Sequence, residues 1–164
     1  MNKELEHSFV KQLEANQNIV HKICRLYTHD SDSHNDLFQE ITIQLWRAFP
    51  KFRGDSKFST WMYRVALNTA ITLYRKSKRR IKTQDFESIS FKISSEAYDD
   101  TEEEQLKLMY SAVKELNDID KALVFLYLED KSYREISAAL GISEVNARVK
   151  MNRTKEKLRK ILNP

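Results

Sequence analysis

Glycine occurs twice in this 164-residue chain, at Gly54 and Gly141, and proline twice, at Pro50 and Pro164. Strand-rich folds need many reversals, and those turns draw on glycine and proline for their backbone angles. So few of either excludes a β-sandwich, a β-barrel and a Rossmann-type fold, and leaves helices. Hydrophobic residues at 41% and charged residues at 32% suit a small all-α protein with a modest core rather than a disordered chain. The length fits one domain or two small helical domains. The single cysteine, Cys24, excludes an internal disulfide and a cysteine-built metal cage. The opening MNKELEHSF has no apolar run and no stretch approaches bilayer length, so a cytoplasmic protein without membrane insertion is expected.

Charge is segmented. Residues 1–81 hold 14 Lys/Arg against 8 Asp/Glu, residues 82–105 hold 2 against 8, and residues 106–164 hold 12 against 8. Two basic halves around an acidic connector point to a polyanionic partner. Apolar periodicity agrees with this division. Phe9, Val10, Leu13, Val20, Ile23, Cys24 and Tyr27 predict one amphipathic helix over residues 9–27. THDSDSHND (residues 28–36) reads as a polar capping loop. Leu37, Phe38, Ile41, Leu45 and Phe49 predict a second helix that Pro50 stops. KFRGDSK (residues 51–57) is a basic loop. A third helix is expected over residues 58–75, with Phe58, Trp61, Met62, Val65 and Thr69 inward and RKSKRR (residues 75–80) at its end. Residues 82–105 lose all periodicity and read as an acidic flexible linker. Periodicity returns with Leu106, Met109, Val113 and Leu116; NDID (residues 117–120) re-caps the chain, and ALVFLYL (residues 122–128) is a short buried helix.

Residues 132–162, SYREISAALGISEVNARVKMNRTKEKLRKIL, carry the sharpest signal. A helix over residues 133–140 buries Ile136, Ala139 and Leu140. Gly141 stands where a tight turn between crossed helices wants positive φ. Ile142 plugs the corner, and Ser143 caps the next helix. There Ala147, Met151, Thr154, Leu158 and Ile161 form an inner stripe, leaving Asn146, Arg148, Lys150, Asn152 and Arg153 outside. That is the pattern of a DNA-binding helix-turn-helix. Asn pairs with adenine, Arg with guanine, and the other cations meet phosphates. A helical hairpin with a solvated basic face is the plainer alternative.

Residues 36–80 add DLFQE, then FRGDSKFSTWMYRVALN, then RKSKRR. With SYREISAALGIS, these motifs in this order closely resemble the extracytoplasmic-function group of the bacterial sigma-70 family, from about Phe9 to Leu162. The resemblance implies two helical domains. Residues 1–81 would be a region 2-like domain and residues 106–164 a region 4-like domain. It implies core RNA polymerase (its β′ clamp helices and β flap), promoter DNA and an anti-sigma factor as partners, no cofactor and no catalytic activity.

By the same resemblance Asp36, Leu37, Gln39, Glu40 and Trp46 would meet polymerase. Phe52, Arg53, Asp55, Ser56, Lys57, Thr60, Trp61, Arg64 and Asn68 would open and read the minus-ten element, with Arg75, Lys76, Lys78, Arg79 and Arg80 on phosphates. Phe58 reads as core. Ser143, Glu144, Asn146, Arg148, Lys150, Asn152 and Arg153 would serve the minus-thirty-five element. The chain departs from the family's glycine-threonine-valine-like run with Val145, Asn146 and Ala147, so its promoter preference does not transfer from relatives. A regulator with a helical sensor domain and a module that sequesters another transcription protein are the competing classes.

His29, Asp30, Asp32, His34 and Asp36 match neither a helix-borne HExxH pair nor an EF-hand, and capping explains them. Cys24 lies on an apolar helical face and reads as a small core residue. The connector's 24 residues relax to roughly 27 Å and extend to roughly 80 Å. Promoter elements two helical turns apart are separated by roughly 70 Å. A compact uncomplexed chain is therefore expected, its acidic segment against basic surfaces near residues 75–80 or 148–153.

Overall fold

A computed structural model describes residues 2–83 and 104–164. Among the described residues there are seven α-helices and no strand: α1 (Lys3–Tyr27), α2 (Ser31–Ala48), α3 (Phe58–Thr83), α4 (Glu104–Lys114), α5 (Asp118–Leu128), α6 (Tyr133–Leu140) and α7 (Glu144–Leu162). A 3-10 turn, Phe49–Lys51, follows α2 and carries Pro50 in its first turn, where a missing N–H costs nothing. None of these helices is long and apolar enough to cross a membrane.

Helices α1, α2 and α3 pack on one another, burying Val20, Ile23, Cys24, Ile41, Leu45, Met62 and Leu67. Helices α4, α5 and α7 pack together, and α6 joins α5 and α7. The polar loop expected at residues 28–36 is much shorter. Asp30 accepts the Ser33 N–H and starts α2 at Ser31, so a single cap satisfies the helix start and the remaining polar residues continue it. Val10, expected inward, is exposed. Helix α3 runs to Thr83, through and beyond the RKSKRR segment expected at its end, because nothing in that segment breaks a helix. Its buried face is also broader than one stripe, taking in Tyr63, Ala66, Ala70 and Ile71, since α3 packs on α1, α2, α5 and α6. Residues 84–103 of the expected acidic linker fall outside the described residues, and its two ends are helical, residues 82–83 closing α3 and 104–105 opening α4.

The two halves dock directly. Tyr27 donates its hydroxyl to the Asp118 carbonyl at 2.7 Å. Lys22 pairs with Glu129 at 2.9 Å, and Tyr63 donates to the same carboxylate at 3.2 Å. Arg75 pairs with Asp118, and the Tyr63 ring lies 5.9 Å from Phe125. Lys121, just before the apolar run of α5, is 1% exposed. Its ammonium donates to the Tyr74 hydroxyl at 3.1 Å and sits 4.3 Å from that ring and 5.6 Å from the Tyr27 ring. A buried ammonium is tolerated here because two π-faces and a phenol replace its water.

Candidate functional site

The loop after α2 rests on aromatic residues. Phe52 stacks on Phe49 at 6.4 Å and lies 5.1 Å from Trp61 and 5.8 Å from Phe58. Beneath them Phe9 packs on Trp46 at 5.1 Å and on Phe49 at 5.2 Å. Phe58 is core, while Phe52 and Trp61 are half-buried. Above this floor Arg53, Asp55, Ser56 and Lys57 are exposed, and Gly54 turns the chain at φ +77°. From the loop a row runs along α3: Thr60, half-buried, then exposed Arg64 and Asn68, each one turn on. The same side continues through Arg75 and Arg79, with Lys76 and Arg80 beside them, all exposed. An aromatic floor under an exposed cationic loop, followed by a cationic ridge, can hold extruded bases and a phosphate backbone.

Arg75 is not idle, because it pairs with Asp118 of the other half. Burial opposes charge on Asp118, but the hydrogen bonds from Arg75 and from the Ile119 N–H outweigh it and hold the carboxyl below its ordinary range. Lys78 lies 4.7 Å over the Tyr74 ring.

The α2 residues divide. Asp36 and Gln39 are exposed, and Glu40 is half-buried, accepting the Gln44 amide at 3.0 Å. Asp36 and Glu40 edge a cleft of about 470 Å³ between α1, α2 and α3, floored by Leu37, Leu73 and Tyr74. Leu37 is only 7% exposed; in this arrangement it forms the cleft floor and is no projecting anchor. Trp46 lies apart from the cleft, half-buried against Phe9.

The helix-turn-helix follows its sequence pattern, except that Leu140 and Ile161, expected inward, are half-buried. Ser132 accepts the Glu135 N–H at the start of α6. Gly141 takes φ +69°, and its N–H returns to the Ser137 carbonyl at 2.9 Å. Ser137 donates its hydroxyl to the Ile142 carbonyl, closing the turn. Ser143 accepts the Asn146 N–H at 3.1 Å, so it caps α7 while remaining exposed. Ala147, Met151, Thr154 and Leu158 are buried. Asn146, Arg148, Asn152 and Arg153 are exposed, whereas Lys150, expected outside, flanks the stripe half-buried. Arg148 sits 5.1 Å over the Tyr133 ring and 3.9 Å from Glu144, so α6 and α7 together aim it. Val145 and Val149 also face outward. Neither carries charge or an amide, yet angular distance from the Ala147 stripe marks both as outward-facing.

The chain was compared with known proteins. The family profile described as Sigma-70 region 2 matches residues 13–80, and that described as Sigma-70, region 4 matches residues 106–158. The RNA polymerase sigma-H factor of Pseudomonas aeruginosa is 30% identical over 158 residues, covering 88% of this chain and 82% of that protein. The ECF RNA polymerase sigma-E factor of Escherichia coli is 30% identical over 149 residues, covering 83% and 78%. Two solved structures share the fold. The sigma factor RpoE in complex with the anti-sigma factor NepR, from Bartonella quintana, has a TM-score of 0.78 at 16% identity, covering 94% of this chain and 96% of that one. CnrH in complex with the cytosolic domain of CnrY has a TM-score of 0.68 at 19% identity, covering 96% and 89%.

Proposed function

The chain belongs to the extracytoplasmic-function group of the sigma-70 family of transcription initiation factors, and from that premise we propose a division of labour along it. Residues 1–81 bind core RNA polymerase through Asp36, Gln39 and Glu40. They open the minus-ten region over the floor formed by Phe52 and Trp61, with Arg53, Lys57, Arg64 and Asn68 around it. Residues 106–164 read the minus-thirty-five region through α7. The chain performs no catalysis: polymerase makes the RNA, in the cytoplasm. An anti-sigma factor, the kind of partner named for the Bartonella quintana RpoE structure, would silence it.

The carrying observation is that both halves present a cationic surface of DNA-reading form, one a helix-turn-helix and the other an aromatic-floored loop, within one docked chain. A compact chain of this length has a radius of gyration of about 15 Å and is about 40 Å across. Promoter elements two helical turns apart lie roughly 70 Å from one another. The docked halves therefore cannot occupy both elements, and polymerase must part them.

Run-off transcription with the purified chain, core polymerase and a library of genomic fragments tests this reading. Defined promoter transcripts are expected only when the chain is present, and transcription no different from core enzyme alone rejects it. Asp36→Ala, Gln39→Ala and Glu40→Ala combined should weaken association with core at unchanged helicity, and undiminished co-purification would remove those residues from the polymerase face.

A further inference from the structure

At 100° per residue, Val145 and Val149 lie within about 20° of the direction opposite Ala147 on α7. They are 69% and 41% exposed. Two bare valines one turn apart contribute little to folding, because β-branched side chains form helices poorly. Docking of the two halves leaves them uncovered. Asn146, Arg148, Asn152 and Arg153, all exposed, surround them with amide and cationic groups. The result is a small apolar spot inside a polar, positively charged rim, on the outer line of the second helix of a helix-turn-helix.

That combination matches one feature of nucleic acid. In the major groove the C5-methyl of thymine is the one apolar group among the base edges, and the phosphates flanking the groove complement a cationic rim. We infer that Val145 and Val149 read thymine methyl groups in the upstream promoter element. Apolar contact thus determines promoter choice beside the amide of Asn146. Residues four apart stand about 6 Å from one another along the helix axis, close to two base steps of roughly 3.4 Å. The two valines therefore address thymines on adjacent base pairs or one pair apart. This inference rests on the reading of residues 106–164 as the upstream-element reader.

The test uses holoenzyme assembled from the full chain and core polymerase. It first selects duplexes from a library randomised across the upstream element. Each thymine of a selected duplex is then replaced by deoxyuridine, which keeps every hydrogen-bonding group and lacks only the methyl. One or two replacements should weaken binding about fourfold each, the worth of one buried methyl-sized group. In Val145→Ala and Val149→Ala the loss at the matching thymine should vanish while the other position keeps its sensitivity. Alanine is the better helix former at both sites, so folding is preserved. A deoxyuridine profile that is the same in wild type and both variants, or that is flat at every thymine, overturns the inference and leaves promoter reading intact. Failure of the holoenzyme to select any upstream sequence overturns both, and that failure shows at the selection step.

Discussion

Gly141 holds φ +69°, and a Cβ built on it would meet nothing within 4 Å. Substitution there tests backbone conformation alone. Gly141→Ala should cost about 1–2 kcal/mol in urea unfolding, and Gly141→Asn less, because asparagine tolerates the left-handed region. Cys24 is buried, and burial pushes its thiol up to about 12. Alkylation at pH 8 should leave it untouched in the native chain and modify it fully in urea, as read by mass spectrometry. His21 Nδ1 and His34 Nε2 lie 2.9 Å apart, so one ring donates and the other accepts. Burial, then the Arg25 charge, lowers the pKa of His21; burial, then the charges of His21 and Arg25, lowers that of His34. His29 is lowered by burial, then by Lys114 and Lys121. The unfolded chain takes up protons near pH 6.5 while the folded chain resists them. Below that pH the unfolded state binds more protons, and stability falls as pH falls. The melting temperature should drop between pH 7 and 5.5, and His34→Gln should shrink that slope; an equal slope in the variant would clear the pair of responsibility.

Along α7, side chains of one helix are expected to do separable work. Asn146→Ala should relax preference at one base position, at about 1–3 kcal/mol of discrimination, whereas Lys160→Ala should weaken all sequences alike and lower the salt slope by about one. Filter binding over a salt series distinguishes them, and a uniform loss from Asn146→Ala would make it a backbone contact. This helix was legible in the sequence because its determinants are local: a cap at Ser143, a turn glycine at Gly141 and an apolar stripe at steps of four and three. The start of α2 was not, since Ser, Asp and Asn favour caps and loops, and only the Asp30–Ser33 hydrogen bond shows which one begins the helix. The candidate polymerase residues were legible as a motif, and burial of Leu37 was legible from its place in the apolar stripe with Ile41 and Leu45, whereas the cleft between α2 and α3 that Asp36 and Glu40 edge was not. Nothing near Lys121 in sequence announces its burial either, because Tyr74 lies 47 residues away.

For the whole molecule, the joint between halves is the feature that promoter spacing acts against. Lys22 and Tyr63 converge on Glu129, and Arg75 meets Asp118. Fluorophores on α2 and α7 should report a short distance in the uncomplexed chain and a long one in holoenzyme. Glu129→Gln combined with Arg75→Ala should lengthen the first without changing the second. The same distance with and without polymerase would show that the halves never part. Lysines, tyrosines and carboxylates make most of the named polar contacts across this joint, yet Tyr27, Tyr63 and Lys121 are buried within it. Opening it therefore bares apolar surface as well as charge, because one hydrophobic core runs through both halves. Once polymerase releases the chain, that bared surface should draw the halves together again, and the same fluorophores should then return to the short distance.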